Sequence, residues 1–129
     1  MDEAILKKYM RIRDEGVHPE QIYSSLRDAQ TANSNINAYK VMKALYGDNR
    51  ERFERILNDA KEHFFSKVTE DYVQYRDAGS SPERVFLNLS KDPRLVSSFE
   101  QIQVLALLFN ITIVEARDAS HRANELEER

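Results

Sequence analysis

Cysteine is absent from this 129-residue sequence, and glycine and proline occur only three times each. Without cysteine the chain has no disulfide framework, no thiolate metal site and no cysteine nucleophile. So few glycines and prolines cannot supply the many tight turns of an all-β protein. With 41% hydrophobic and 32% charged residues, the composition is instead typical of a globular, helix-rich chain.

A long apolar run and a surplus of positive charge are also missing. No apolar stretch approaches the ~20 residues that a membrane-spanning helix needs, so we expect no membrane span. Residues 1–63 hold 11 Lys and Arg against 11 Asp and Glu, and residues 64–129 hold 8 against 11. Neither half therefore has the basic surface that binding to a phosphate backbone requires, and we expect no nucleic acid as partner.

Two stretches of the sequence, 63 positions apart, are nearly alike. "IRDEGVHPEQIYSSL" at 12–26 aligns with "YRDAGSSPERVFLNL" at 75–89. The same offset continues without a gap to 41–46 and 104–109, where the apolar positions again coincide. We interpret this agreement as an internal duplication. It predicts a repeat unit at 1–63 and a second at 64–129, joined as one continuous structural domain.

The glycines and prolines of each unit predict where helices end and begin. Gly16 and Gly79 are suited to end a first helix in the left-handed conformation, and Pro19 and Pro82 are suited to begin the next. The fold class is therefore all-α, with two tandem helical bundles and seven or eight helices. No Gly or Pro occurs between Asp48 and Ala78, so the sequence leaves open whether that segment is one helix.

The apolar spacing on these helices predicts the structural core. Its members are Ile22, Tyr23, Leu26, Tyr46, Val85, Phe86, Leu89 and Phe109. Phe99 and Ile102 lie on a further helix of this kind, where core packing is again the expected role.

Residues capable of catalysis are scattered rather than clustered. The three histidines have no partner at a metal-ligand spacing, and the carboxylates alternate with Lys and Arg as they do on solvated helix faces. Arg13-Asp14 and Arg76-Asp77 recur just before the glycines, which indicates a structural role at a helix end. We predict no catalytic residue, no cofactor site and no metal site.

One segment keeps an alternative open. "VMKALYGDNRERFERILND" at 41–59 resembles a helix-turn-helix, which would suit a small nucleic-acid-binding or transcription regulator. The second helix of this segment, which would contact the DNA, carries the acids Glu51, Glu54 and Asp59 among its arginines. Because acidic side chains repel phosphates, they would weaken the binding of nucleic acid. An enzyme with unrecognised carboxylate chemistry is a further and weaker alternative.

The stretch at 75–89 resembles the signature of WY-type oomycete effectors. In that signature a tryptophan is followed by a Gly, then Ser-Pro, an acid, Val-Phe and a Leu. The matching residues are Gly79, Ser81, Pro82, Glu83, Val85, Phe86 and Leu89. Tyr75 and Ile12 stand in the tryptophan place, and Tyr46 and Phe109 stand in the tyrosine place.

This resemblance implies an RXLR-type virulence protein, secreted by the pathogen and translocated into plant cells. Such effectors are non-catalytic and bind a host protein to suppress immunity. The resemblance also implies that residues at the tryptophan place pack in the core, which adds Ile12 and Tyr75 to the predicted core. Since the residues of the signature are core residues, the resemblance assigns no partner-binding residue. Signal and translocation segments would precede the effector domain and are not in this chain. Whether the domain forms a homodimer is left open.

Overall fold

The computed structural model describes residues 3–127, and over that range it is all-helical, with eight helices and no strand. The prediction of an all-α fold is confirmed. The helices are α1 Glu3–Asp14, α2 Pro19–Ala32, α3 Ala38–Tyr46, α4 Arg50–Glu70, α5 Val73–Asp77, α6 Pro82–Leu89, α7 Ser98–Phe109 and α8 Ile113–Glu127.

The chain divides into two compact units, the first ending at Phe64 and the second beginning at Phe65. In the first unit α1, α2 and α3 contact one another, and in the second α6 contacts both α7 and α8. Helix α4 crosses the boundary without a break and ends at Glu70, where a turn at Asp71 and Tyr72 precedes α5. The segment 48–78 is therefore two helices.

The helix ends use the residues that the sequence indicated. Gly16 and Gly79 have φ angles of 92° and 94°, a region that favours glycine. Ser81 caps α6, because its hydroxyl accepts a hydrogen bond from the Arg84 amide. Asn110 ends α7 in the left-handed conformation, with φ 53°.

The two proline-initiated helices differ in length, with 14 residues in α2 and 8 in α6. Pro93 explains the difference, because a proline ring clashes with the carbonyl four residues earlier and the residue before it disfavours the helical conformation. Helix α6 ends at Leu89, four positions before Pro93. A loop of irregular backbone therefore leads from α6 to α7 in the second unit.

Most of the predicted core positions lie inside the protein. Ile22, Tyr23, Leu26, Tyr46, Val85, Phe86 and Leu89 are all buried. Ile12 and Phe109 are half-buried.

The expectation that Tyr75 is buried is wrong, since the residue is 40% exposed. Tyr72, in the turn between α4 and α5, takes the inward position and is 8% exposed. The Tyr75 ring lies outside it, 6.0 Å from the Tyr72 ring between centroids. In the first unit Tyr9, 63 positions before Tyr72, is likewise buried, although α1 has no break. The inward position therefore belongs to this place in the repeat and does not result from the turn before α5. The inward aromatic residue of each unit is thus three positions earlier than the sequence pattern suggested.

A matched pair of truncations tests this assignment. We expect Phe86→Ala to lower the free energy of unfolding by about 3–5 kcal/mol, as aromatic truncations in a core do. Tyr75→Ala should cost under about 1 kcal/mol, because much of its ring already contacts water. Urea denaturation followed by circular dichroism measures both values. Equal losses for the two variants would show that Tyr75 belongs to the core.

Candidate functional site

The repeated Arg-Asp pair joins the ends of two helices in each unit. Arg13 Nη1, near the end of α1, donates to the carbonyl oxygen of Leu45 in the last turn of α3, at 2.7 Å. Its Nε donates to Asp14 Oδ1 at 3.1 Å, which holds the guanidinium in place. The prediction of a structural role at a helix end is confirmed for this pair.

The second unit repeats these contacts 63 positions later. Arg76 Nη1 donates to the Leu108 carbonyl oxygen of α7 at 2.9 Å, and Arg76 Nε donates to Asp77 Oδ1 at 3.1 Å. The last four carbonyls of a helix have no partner within it, so a guanidinium from the neighbouring helix satisfies one of them. We call each set of contacts a helix-end clamp.

A buried polar cluster occupies the loop between α6 and α7. The Asp92 carboxylate accepts hydrogen bonds from Tyr72 Oη at 2.7 Å, Arg94 Nε at 3.0 Å and Arg94 Nη2 at 2.7 Å. Arg94 Nη1 also donates to Asp71 Oδ2 at 2.7 Å. The cluster therefore ties the loop to the turn between α4 and α5.

The protonation states of Asp92 and Tyr72 are set by burial and by their hydrogen-bond partners. Burial alone would raise the pKa of Asp92, but the hydrogen bonds from Arg94 and Tyr72 outweigh it and hold that pKa below the ordinary value. Burial, together with the hydrogen bond to Asp92, raises the pKa of Tyr72. Asp92 is thus an ionised carboxylate with its oxygens occupied by fixed donors. This is the arrangement of a structural ion pair rather than of a general base.

The histidines have local roles in the structure. His18 caps α2 by accepting a hydrogen bond from the Glu20 amide, and His63 Nδ1 lies 3.7 Å from the Glu20 carboxylate. His121 is exposed on α8. Over residues 3–127 no group of three or more His, Asp or Glu side chains is arranged to hold a metal ion.

The helix-turn-helix-like segment forms α3 and the start of α4, but its arginines lie beside carboxylates. Arg50 Nε is 3.2 Å from Glu54 Oε1, and Arg52 Nη1 is 3.6 Å from Asp48 Oδ1. The exposed side of α4 therefore presents paired charges of both signs. Such a surface lacks the net positive charge that draws a helix to phosphates.

A further feature of the second unit is a set of exposed apolar side chains. Five large apolar side chains between positions 96 and 114 are strongly exposed, and we call them the apolar surface. They are Val96, Phe99, Leu107, Ile113 and Val114. Four of the five are more than half exposed, whereas most apolar residues of the chain are covered. A contiguous patch of exposed apolar side chains is typical of an interaction site, whereas single ones are ordinary. These five share one short segment of the chain, positions 96–114.

This surface was not predicted from the sequence, and the prediction that Phe99 packs in the core is wrong. Phe99 is 61% exposed because α7 turns its opposite side, with Val104 and Leu108, to the interior. One sequence signal could have revealed the surface. Residues 95–114 contain a single charged residue, Glu100, in a chain that is 32% charged.

Within the part of the chain that the structure describes, no single helix is both long and apolar enough to cross a membrane. Only α7 and α8 taken together have that composition, and they are bent by 112° at their junction.

Comparison with known proteins adds no relative: no family model, no curated protein and no solved structure matches this chain.

Removal of one charge from the buried cluster gives a pH-dependent prediction. Asp92→Asn should lower the free energy of unfolding by about 2–3 kcal/mol at neutral pH, because Arg94 loses its buried partner. A carboxyl group whose pKa is lowered by folding stabilises the fold above its ordinary pKa of about 3.9, and that contribution is lost as the pH falls through the folded value. The difference between the native and variant proteins should therefore shrink below about pH 4.

Urea denaturation at pH 7 and pH 3 measures this difference. Asp71→Asn is the matched control, since Asp71 contacts the same guanidinium but its side chain is 61% exposed. We expect the control to cost under about 1 kcal/mol. A control as costly as Asp92→Asn would show that burial of the pair is irrelevant.

The helix-end clamp predicts that lysine cannot replace its arginine. Arg76→Lys keeps the charge but loses the planar group that reaches both Asp77 and the Leu108 carbonyl. We expect a loss of about 1–2 kcal/mol in the free energy of unfolding. Arg84→Lys, at an exposed position of α6, is the control and should be neutral. A neutral Arg76→Lys variant would contradict a role for the clamp in stability.

Proposed function

We propose that this chain is a non-catalytic protein-binding domain that acts as a virulence effector of the WY type. It binds a host plant protein and thereby suppresses immunity. In this proposal the pathogen secretes the protein, and the domain works inside the host cell. The observation that carries the protein-binding part is the apolar surface at positions 96–114.

The composition of the apolar surface suits a protein partner. The centres of protein interfaces are depleted of charged residues and enriched in aromatic ones. Here Phe99 is 61% exposed, and Glu100 is the one charge in the stretch 95–114. A nucleic acid would instead require positive charge, which this part of the chain lacks.

The fold does not require large apolar residues at three of these five places, although Phe99 aligns with the apolar Ile36. At the positions 63 residues before Leu107, Ile113 and Val114, the first unit has Ala44, Arg50 and Glu51. Those three residues are exposed. The first unit folds without large apolar side chains at these three positions. Their presence in the second unit is therefore best explained by contact with a binding partner.

The effector part of the proposal is supported by the resemblance of residues 75–89 to the WY signature. The helix punctuation that carries this resemblance, with Gly79 at a helix end and Ser81 and Pro82 at the next helix start, has these roles in the structure. The buried aromatic residue of the second unit is Tyr72 rather than Tyr75. The effector assignment therefore depends on the spacing from Gly79 to Leu89.

Affinity capture from plant extract tests the function. The tagged chain is compared with a variant carrying Ile113→Ser and Val114→Ser, which removes part of the apolar surface. A control variant, Met10→Ser, removes an exposed apolar side chain from the first unit. We expect one host protein to be retained by the native chain and the control, and to be lost from the double variant.

A titration with DNA and RNA over a range of salt concentrations tests the alternative. We expect only weak association that disappears near physiological salt. Tight binding that resists salt, with no host protein retained by any variant, would overturn the proposal in favour of a nucleic-acid-binding regulator.

A further inference from the structure

The first unit contains an open cleft between the end of α1, the end of α3 and the start of α4. Its volume is about 660 Å³, which is within the range of sites for small molecules. The tyrosine that ends α3 lines it, and we call it the Tyr46 cleft. Four apolar residues also contribute to its wall, namely Val17, Pro19, Ala44 and Leu45.

The hydroxyl of Tyr46 is a buried polar group without a partner. The residue is 6% exposed, and over residues 3–127 its Oη has no hydrogen-bond partner. Nearly all buried polar groups in proteins are hydrogen-bonded, so this exception calls for a partner from outside the chain. Burial raises the pKa of Tyr46, and the positive charges of Arg13 and Arg52 partly offset that rise. Both arginines line the cleft, which places the hydroxyl on the cleft side of the ring.

One of the two arginines is available to a ligand. Arg13 is committed to the helix-end clamp, since it donates to the Leu45 carbonyl and to Asp14. Arg52 is less firmly held, because its Nη1 lies 3.6 Å from Asp48 Oδ1, which is beyond hydrogen-bond distance. Its guanidinium can therefore form a bidentate pair with a further carboxylate.

The second unit folds without this chemistry. At the positions 63 residues after Tyr46 and Arg52 it has Phe109 and Glu115. Phe109 ends α7 with no hydroxyl, and the Glu115 carboxylate accepts a hydrogen bond from the Thr112 amide. The tyrosine hydroxyl and the arginine therefore serve the cleft of the first unit rather than the helical frame.

We infer that the Tyr46 cleft binds a small organic carboxylate, which accepts hydrogen bonds from Tyr46 Oη and the Arg52 guanidinium. The apolar part of the ligand lies against the apolar residues of the wall. A singly charged group is favoured over a phosphate, because Asp14 and Asp48 also line the cleft and repel a second negative charge. This site goes beyond the proposed function, whose apolar surface belongs to the second unit.

Benzoate is a suitable probe, because it joins a carboxylate to an apolar ring. The full chain, labelled with ¹⁵N, is titrated with sodium benzoate at constant ionic strength, and its amide signals are followed by NMR. We expect saturable shifts centred on Gly47 and Arg52, with a Kd of about 1 mM. Benzamide, which has the same shape without the charge, and inorganic phosphate should each bind at least about 10-fold more weakly.

Tyr46→Phe is the decisive variant, because it removes the hydroxyl alone. It should weaken benzoate binding about 10-fold, since a hydrogen bond to a charged acceptor is lost. Its midpoint of urea denaturation should not fall, because the hydroxyl has no partner within the fold. Arg52→Gln should also weaken binding about 10-fold. Arg55→Gln, at an exposed position of α4 outside the cleft, is the matched control and should bind like the native chain.

Any of three binding results would overturn the inference: no saturable binding of benzoate, equal binding of benzamide, or normal benzoate binding by Tyr46→Phe. A Tyr46→Phe variant that is clearly less stable than the native chain would overturn it as well, since the hydroxyl would then be satisfied by water as part of the fold. The proposed function is tested separately, by host-protein capture with variants of the second unit.

Discussion

The carbonyl groups at the end of a helix need partners from outside it, and this requirement organises each unit of the chain. In the first unit Arg13 reaches the Leu45 carbonyl from the end of α1, and in the second Arg76 reaches the Leu108 carbonyl. Both arginines are positioned by the acid that follows them. A single hydrogen bond from a charged donor is worth only about 1.5–3 kcal/mol. Its importance lies in joining the ends of two helices, so that their apolar sides face each other.

The turn that follows each clamp also depends on this geometry. Gly16 and Gly79 take the left-handed conformation, and the chain reverses at once into a helix that begins with proline. These features are local and chemically specific. For that reason the helix ends, the all-α fold and the structural role of the Arg-Asp pairs could be predicted from the sequence.

The orientation of side chains about a helix was harder to predict. Tyr75 was expected in the core, but Tyr72, three residues earlier, takes the inward position, as Tyr9 does in the unbroken α1 of the first unit. Both tyrosines are apolar enough to face the interior, so the sequence does not show which of them does. Phe99 was assigned to the core because α7 is apolar on several sides. In such a helix periodicity cannot show which side faces solvent, and only tertiary packing decides.

The two units have a similar order of helices but differ in the connection between the second and third, and Pro93 causes this difference. Proline shortens α6 and creates a loop, and that loop needs the Asp92 and Arg94 cluster to be held in place. In the first unit the corresponding helix α2 continues to Ala32, and a Gln30 side chain meets the first amide of α3 instead. The loop of the second unit leads directly to Val96 and Phe99. A hydrogen-bonded polar cluster thus lies just before the most exposed apolar residues, and it ties the start of their loop to the turn between α4 and α5.

The fixed position of α7 explains how an apolar surface could distinguish one partner from another. Apolar contacts give affinity without direction, so recognition depends on holding the side chains in a fixed arrangement before binding. Here α7 is fixed at its start by the Ser97 hydroxyl, which accepts from the Glu100 amide, and by the Glu100 carboxylate, which accepts from the Val96 amide. At its end it is fixed by the Arg76 clamp and Asn110. The interior side of the helix is packed, with Val104 and Leu108 fully covered. The outer residues therefore project from a helix whose position is determined at both ends, and in the proposed function a partner would recognise their spacing rather than charge.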